Sequence, residues 1–362
     1  MAGPMVVDQS HCRLVDDPDR WDRFVEQSPH GHLLQSYGWG EFKECFGWKP
    51  DRIGLETHGE LVAGAQILYH PTPLGSFAYV PKGPVANPEE HRLLKTLLES
   101  IHKLARSRGA VFLKIEPNVP MGETLLNLGF SSSTSVQARS TVIVDLSPDL
   151  DTISAGQKSK TRYNIGLAAR RGVSVRQAEP NELPFFSNLM EITGERDKFH
   201  IRSLSYFQQL VRIMGDKVKL FLASHQNEVL AGIMVSAFGQ ESIYLYGASS
   251  NSHRNLMPTY LIQWEAMKWA KAQGCTRYDL WGIPEVPQDA TAEADEDNKP
   301  KRQASGNVSL EEAWGLYRFK SGFGGQVVNY PGAFDYVYSP ARYWLWTKVV
   351  PRVLGAKRRL GD

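Results

Sequence analysis

Apolar and polar positions follow one another along the chain in two successive runs, and each run predicts the same order of elements. In the first, residues 18–28 carry helical spacing at Trp21, Phe24 and Val25, and residues 32–48 continue it with Leu33, Leu34, Trp39, Phe42 and Phe46. Residues 52–55, 61–69 and 76–80 read as strands, the first two joined by His58-Gly59 and the third closed by Pro81-Lys82-Gly83-Pro84. An amphipathic helix over 88–108 gathers Leu94, Leu97, Leu98, Ile101 and Leu104 on one side. A buried-type strand over 110–115 delivers Glu116, a short helix over 121–128 stops at Gly129, and 140–146 is strand again.

After Ser147-Pro148-Asp149 the order begins a second time. Residues 151–171 read as one basic helix and 173–177 as a strand, followed by helices over 183–195 and 204–214. Strands over 219–225, 229–238 and 241–248 lead to a long helix over 257–273 and a strand over 277–281. Each run thus holds strands, a helix starting near a proline (Pro88, Pro258) and a strand after a glycine (Gly109, Gly274) that ends beside an acid (Glu116, Glu285). The expectation is an α/β chain of two similar units, 1–148 and 149–330, with 331–362 completing the first. Residues 287–309, polar and without apolar period, read as a mobile loop, either a lid or a neutral insertion.

Composition adds bounds. With 362 residues, 42% hydrophobic, the chain is long enough for two cores, and its 41 basic and 39 acidic residues leave no global field. The odd count of 3 cysteines, without metal-type spacing, fits a reducing compartment. Neither a signal peptide nor an apolar run of the roughly 18 residues needed for a membrane span is visible. The expectation is a cytoplasmic protein. No metal-ligand constellation, Gly-x-Ser-x-Gly elbow, Walker A loop or Rossmann fingerprint occurs, which disfavours hydride transfer and NTP hydrolysis.

The stretch with the most chemistry is Tyr317-Arg318-Phe319-Lys320-Ser321-Gly322-Phe323-Gly324-Gly325. A cation between aromatic rings, with glycines that let backbone come close, suits an anionic or carbonyl-bearing ligand. The plainer alternative makes Phe319 and Phe323 one apolar helix face, with Lys320 in water. The second run also looks like an acetyltransferase-type (GNAT) unit, in which glycines at the strand-to-helix turn hold a cofactor pyrophosphate. Here that turn, Asn251-Ser252-His253-Arg254-Asn255-Leu256-Met257-Pro258, has no glycine.

Over its whole length the chain resembles the FemABX aminoacyltransferases, which extend the peptidoglycan stem peptide with amino acids from aminoacyl-tRNA. The resemblance rests on residues 35–43, Ala78-Tyr79-Val80-Pro81-Lys82-Gly83-Pro84, 113–119, 158–173, 244–258, Tyr278-Asp279-Leu280-Trp281-Gly282-Ile283 and 317–325, in that order. It implies two tandem GNAT-like domains with a cleft between them, no cofactor and no metal. It also implies an aminoacyl-tRNA donor and a nucleotide-linked (UDP-linked) or lipid-linked muropeptide acceptor. The long helical arm of some members is absent, so the compact branch is the nearer likeness.

Residue by residue, the resemblance implies that Lys320, with Phe319 before it, stands at the tRNA end and the reaction centre, where a cation would stabilise the oxyanion. It implies that Lys43, Arg202 and Tyr206 hold the acceptor, and that Tyr246 lies nearby. Glu116 falls where the family often has an aspartate, and a stem-peptide contact or a salt bridge suits it better than a base role. Lys158, Lys160, Arg162, Arg170 and Arg171 are candidate tRNA contacts or a solvated helix face.

Plainer readings accompany these. Lys43 is a solvated lysine, Arg202 and Tyr206 pair with each other or with Asp197, and Tyr246 is core. The aromatic and basic tail 343–359 reads either as a membrane-surface segment or as a terminal helix packed on the first domain. Two other functions stay open: an acyl-CoA-dependent N-acyltransferase whose pyrophosphate Arg254 would hold, and a non-catalytic protein that binds tRNA or a membrane surface.

Overall fold

The structure, a computed structural model, describes residues 11–197, 201–284 and 310–349. Glu285, the expected loop 287–309 and the basic end of the tail lie outside the described residues. The chain forms two units, one of residues up to Gln137 together with those from Tyr330 onward, the other of Ala138–Asn329.

The first unit is a sheet of β1 (His11–Leu14), β2 (Lys49–Thr57), β3 (Glu60–Thr72), β4 (Gly75–Pro81), β5 (Ala110–Glu116), β6 (Ser131–Ser133) and β14 (Ala333–Val337). Its order is β1-β2-β3-β4-β5-β14-β6. Between β4 and β5 runs the helix His91–Ser107, whose Leu94, Leu97, Leu98, Ile101 and Ala105 recur at helical spacing and are buried. That crossover makes β5 parallel to β4, paired in continuous register from Phe77 with Phe112 to Pro81 with Glu116.

The second unit is a sheet of β7 (Ser140–Asp145), β8 (Ser174–Gln177), β9 (Val218–His225), β10 (Glu228–Phe238), β11 (Glu241–Ser249), β12 (Arg277–Ile283) and β13 (Gln326–Asn329), in the order β13-β7-β12-β11-β10-β9-β8. The helix Pro258–Ala272 buries Leu261, Ile262, Ala266, Met267 and Ala270 and makes the equivalent crossover. Here the parallel pair opens. β11 and β12 pair only from Glu241 with Arg277 to Ile243 with Asp279, although both strands run further.

The repeated order and the mixed α/β class agree with the sequence, and the details correct it at three places. Ser140–Asp145 was expected to close the first domain but pairs with β12 and β13 in the second sheet. The single basic helix is two, Leu150–Gly156 and Ser159–Arg170, broken at Gln157, where the backbone is extended. Residues 32–48 hold only a short turn, Leu33–Gln35, and the helix Tyr37–Glu44. Four short edge or closing strands, β1, β6, β13 and β14, carried no period long enough to read.

The helix Tyr37–Glu44, which carries Lys43, is fixed to the first sheet by two fully buried glutamines. Gln66 Nε2 donates to Leu34 O at 3.2 Å and Ser36 O at 2.9 Å, while its Oε1 accepts from Arg52 Nε at 2.9 Å. Gln35 Oε1 accepts from Gln66 N at 2.7 Å and its Nε2 donates to Pro81 O at 2.7 Å. Replacing Gln66 by Leu nearly keeps the volume but strands the Leu34 carbonyl and the Arg52 Nε and removes one of the two donors to Ser36 O. We expect Gln66→Leu to lose about 2–4 kcal/mol of stability, read as a lower urea midpoint at unchanged slope.

Candidate active site

Lys320 lies near the end of the helix Leu310–Ser321 and is 5% exposed, so the plainer alternative of a solvated lysine does not hold. Its ammonium donates to Gly282 O at 2.8 Å, with Trp281 O at 3.4 Å, and sits 5.5 Å from the centre of the Tyr244 ring. Burial lowers its pKa from the ordinary 10.5 to about 8, against a smaller upward pull from Asp279. At neutral pH this is a mostly protonated cation, held beside the open end of the β11–β12 pair.

The carbonyls that hold it come from a β-bulge. The register between β12 and β7 shifts between Asp279 and Gly282, and Trp281 there adopts a left-handed backbone with φ +62°. Asp279, 1% exposed, accepts from Trp281 N at 2.7 Å and from Thr141 Oγ1, and Thr141 Oγ1 also lies 2.9 Å from Trp281 O. Sequence reasoning gave Asp279 and Thr141 no role. The available signal was a carboxylate inside Tyr278–Ile283, a run otherwise without charge and bound for a buried strand.

The glycines after Lys320 serve the protein's own packing rather than a ligand. Gly324 has φ +85°, and a Cβ there would stand 2.4 Å from Gly156 O; one on Gly325 would stand 2.7 Å from Ile143 O. Gly322 O accepts from Lys158 N at 2.9 Å, so the basic helix starts directly against this segment. Phe319 is half-buried, edge-on to Tyr260 at 5.1 Å and Phe323 at 5.4 Å.

Tyr206 and Tyr246 come together in the same unit, their hydroxyls 3.0 Å apart. Tyr206 is positioned by the helix Leu204–Met214, capped by Ser203, and the exposed Arg202 guanidinium lies 5.1 Å over its ring. Burial raises both phenol pKa values, in Tyr246 with further help from Tyr206. Both are therefore neutral hydrogen-bonding groups. Asp197 pairs with Arg196. Lys158, Lys160, Arg162, Arg170 and Arg171 are all exposed, and Arg162 donates to Ala155 O at 3.1 Å and also to Gln157 O.

In the first unit, the half-buried Lys43 ammonium lies 5.4 Å from the Trp39 ring and 5.6 Å from that of Phe42. Glu116 is engaged within the first unit. It is 3% exposed and accepts from Val136 N, from Gln137 N at 3.1 Å and from Tyr79 Oη. These bonds tie the segment after β6 to the end of β5 and take up its oxygens. They make an internal latch at this carboxylate. The tail helix Pro340–Trp344 packs on the first sheet, with Tyr343 5.0 Å from Phe112 and its hydroxyl donating to Asp335 at 2.8 Å, while Trp344 is 58% exposed.

The model of the FemAB family matches residues 17–128, 121–228 and 224–349. The chain belongs to the FemAB family. It is an aminoacyltransferase of that family, similar to the "Lipid II:glycine glycyltransferase" of Staphylococcus haemolyticus (strain JCSC1435), with 28% identity over 94% of this chain and 96% of that one. Among solved structures it is similar to FemX, with TM-score 0.79 and 26% identity over 92% of this chain and 99% of that one. A tandem GNAT protein from the clavulanic acid biosynthesis pathway shares the fold, with TM-score 0.54 and 12% identity over 92% and 99%.

A FemAB chain with a GNAT fold raises the question of coenzyme A, and the turn before the helix Pro258–Ala272 bears on it. Three of its N–H groups are taken up internally: Ser252 N by Ser250 Oγ at 2.9 Å, Leu256 N by His253 O at 2.9 Å and Met257 N by Arg254 O at 3.1 Å. His253 and Met257 take left-handed backbone there with full side chains.

If Glu116 is a latch, its charge and not its basicity matters. We expect Glu116→Gln to lower the melting temperature by several degrees and to leave kcat within about twofold of wild type, read by thermal unfolding and steady-state transfer.

Proposed function

We propose that this protein transfers an amino acid from aminoacyl-tRNA to the stem-peptide amine of a peptidoglycan precursor. One observation carries this reading: a buried lysine stands at the opening of the parallel pair in a GNAT-like unit whose strand-to-helix turn has no glycine. The printed name of the staphylococcal relatives, which joins lipid II and glycine, supports a lipid-linked acceptor and a small amino acid.

In the proposed reaction the acceptor amine attacks the aminoacyl ester carbon, and the Lys320 ammonium faces the oxygen that becomes anionic. The ester C–O bond to the tRNA ribose then breaks, the amide forms, and the amine proton leaves to solvent or to the ribose oxygen. The ester is already activated, so no protein base is required, in keeping with the latch role of Glu116. Arg202, Tyr206 and Tyr246 are proposed contacts to the acceptor, and Lys43 is proposed as a further one. Phe319 would border the tRNA end, and the exposed basic helix Ser159–Arg170 would meet tRNA phosphates. Trp344 and the basic tail are proposed to touch the cytoplasmic face of a membrane bearing the acceptor. Among the described residues no helix is long and apolar enough to cross one.

The test offers purified protein a lipid-linked and a UDP-linked muropeptide, with labelled aminoacyl-tRNAs and, in parallel, labelled acetyl-CoA. Label should arrive from tRNA, be abolished by RNase, and fall about 10²–10³-fold in Lys320→Ala. Arrival from acetyl-CoA alone refutes the proposal. The rate should rise as the amine loses its proton and decline above pH about 8, where Lys320 loses its own. Lys320→Arg, permanently charged, should lack that descending limb.

A further inference from the structure

The bulge that holds Lys320 is strained, and the strain has a visible cause. A tryptophan at φ +62° occupies a region that is sterically costly for a bulky residue. Two side chains retain it there. The Asp279 carboxylate accepts from Trp281 N at 2.7 Å, and Thr141 Oγ1, on the neighbouring strand β7, lies 2.9 Å from Trp281 O. Released from them, residue 281 would return to extended backbone, the register shift between Asp279 and Gly282 would close, and the two carbonyls now facing Lys320 would turn into the ladder.

We propose that Asp279 and Thr141 are the positioning residues of this site: they hold Trp281 in the left-handed conformation that aims its own carbonyl and that of Gly282 at the Lys320 ammonium. The inference rests on the transferase reading for its kinetic consequence, but not for the geometry. The acidic and phenolic groups facing Lys320 are Asp279 on β12 and Tyr244 on β11, and Tyr260, on the helix Pro258–Ala272, packs against the neighbouring Phe319. The Tyr244 hydroxyl is pushed up to about 12 by burial and is neutral. Asp279 is therefore the negative charge that acts on the ammonium. Thr141 supplies no charge, so the two residues separate the effect of orientation from that of the field.

The experiment follows Lys320 in intact protein by its ¹³Cε resonance, assigned by its loss in Lys320→Ala, alongside pH profiles of transfer. In Asp279→Asn the Lys320 titration should fall by about one pH unit. The descending limb of transfer should move down with it, and kcat should drop about tenfold while the KM for the tRNA donor stays within about twofold. Thr141→Val should lower kcat with little shift of the titration, and Thr141→Ser, which keeps the hydroxyl, should restore it. An unchanged Lys320 titration in Asp279→Asn, or an unchanged kcat in Thr141→Val, overturns the proposal. Should Asp279→Asn not fold, Thr141→Val against Thr141→Ser decides. Should wild type take nothing from aminoacyl-tRNA, the function reading fails, and the Lys320 resonance still decides the positioning.

Discussion

A lysine ammonium withdrawn from water loses several kcal/mol of hydration unless the protein replaces it, and the second unit is arranged around that replacement. Lys320 keeps its charge near neutral pH because two carbonyls accept from it and a carboxylate lies nearby. Neither carbonyl would be available in a regular ladder, where each bonds the next strand. The bulge in β12 frees them, and Asp279 and Thr141 maintain the bulge. The helix that bears Lys320 is pinned in turn by close glycine packing against Gly156 and β7. Cation, bulge and glycine contacts form one dependent set.

The two units show what that set adds to a shared scaffold. Both are seven-stranded sheets with one helix crossover into a parallel pair. In the first unit the pair is closed along its length, and the acid at its end, Glu116, ties down the following segment. In the second the pair parts after Ile243 and Asp279, and the acid instead shapes the backbone beside the opening. The two parallel pairs thus carry a latch in one unit and a charged opening in the other. The chemistry resides in these side chains rather than in the fold.

Much of this was legible in the chain. Long elements with strong periods, such as the helices over 91–107 and 258–272 and the strands before them, were readable because one buried face fixes where apolar residues recur. The family was legible too, since several motifs in order constrain each other. The break at Gln157 was not, because Leu150–Gly156 and Ser159–Arg170 are both helical and only the extended backbone between them separates the two. Strands of three to five residues, such as β6 and β14, were invisible because so short a segment has no measurable period.

The sequence by itself determined the α/β class, the repeated order and the family, and singled out Lys320 as a candidate, all from local periodicity and local motifs. Only tertiary structure decided that β7 joins the second sheet, although chain order places it with the first. It alone decided that Glu116 is consumed internally and that Asp279 and Thr141, 138 positions apart, meet at one bulge. The physical reason is the same in each case. Pairing across a sheet and the burial of a charge depend on residues distant in the chain, and no local pattern records which distant residue will supply the partner.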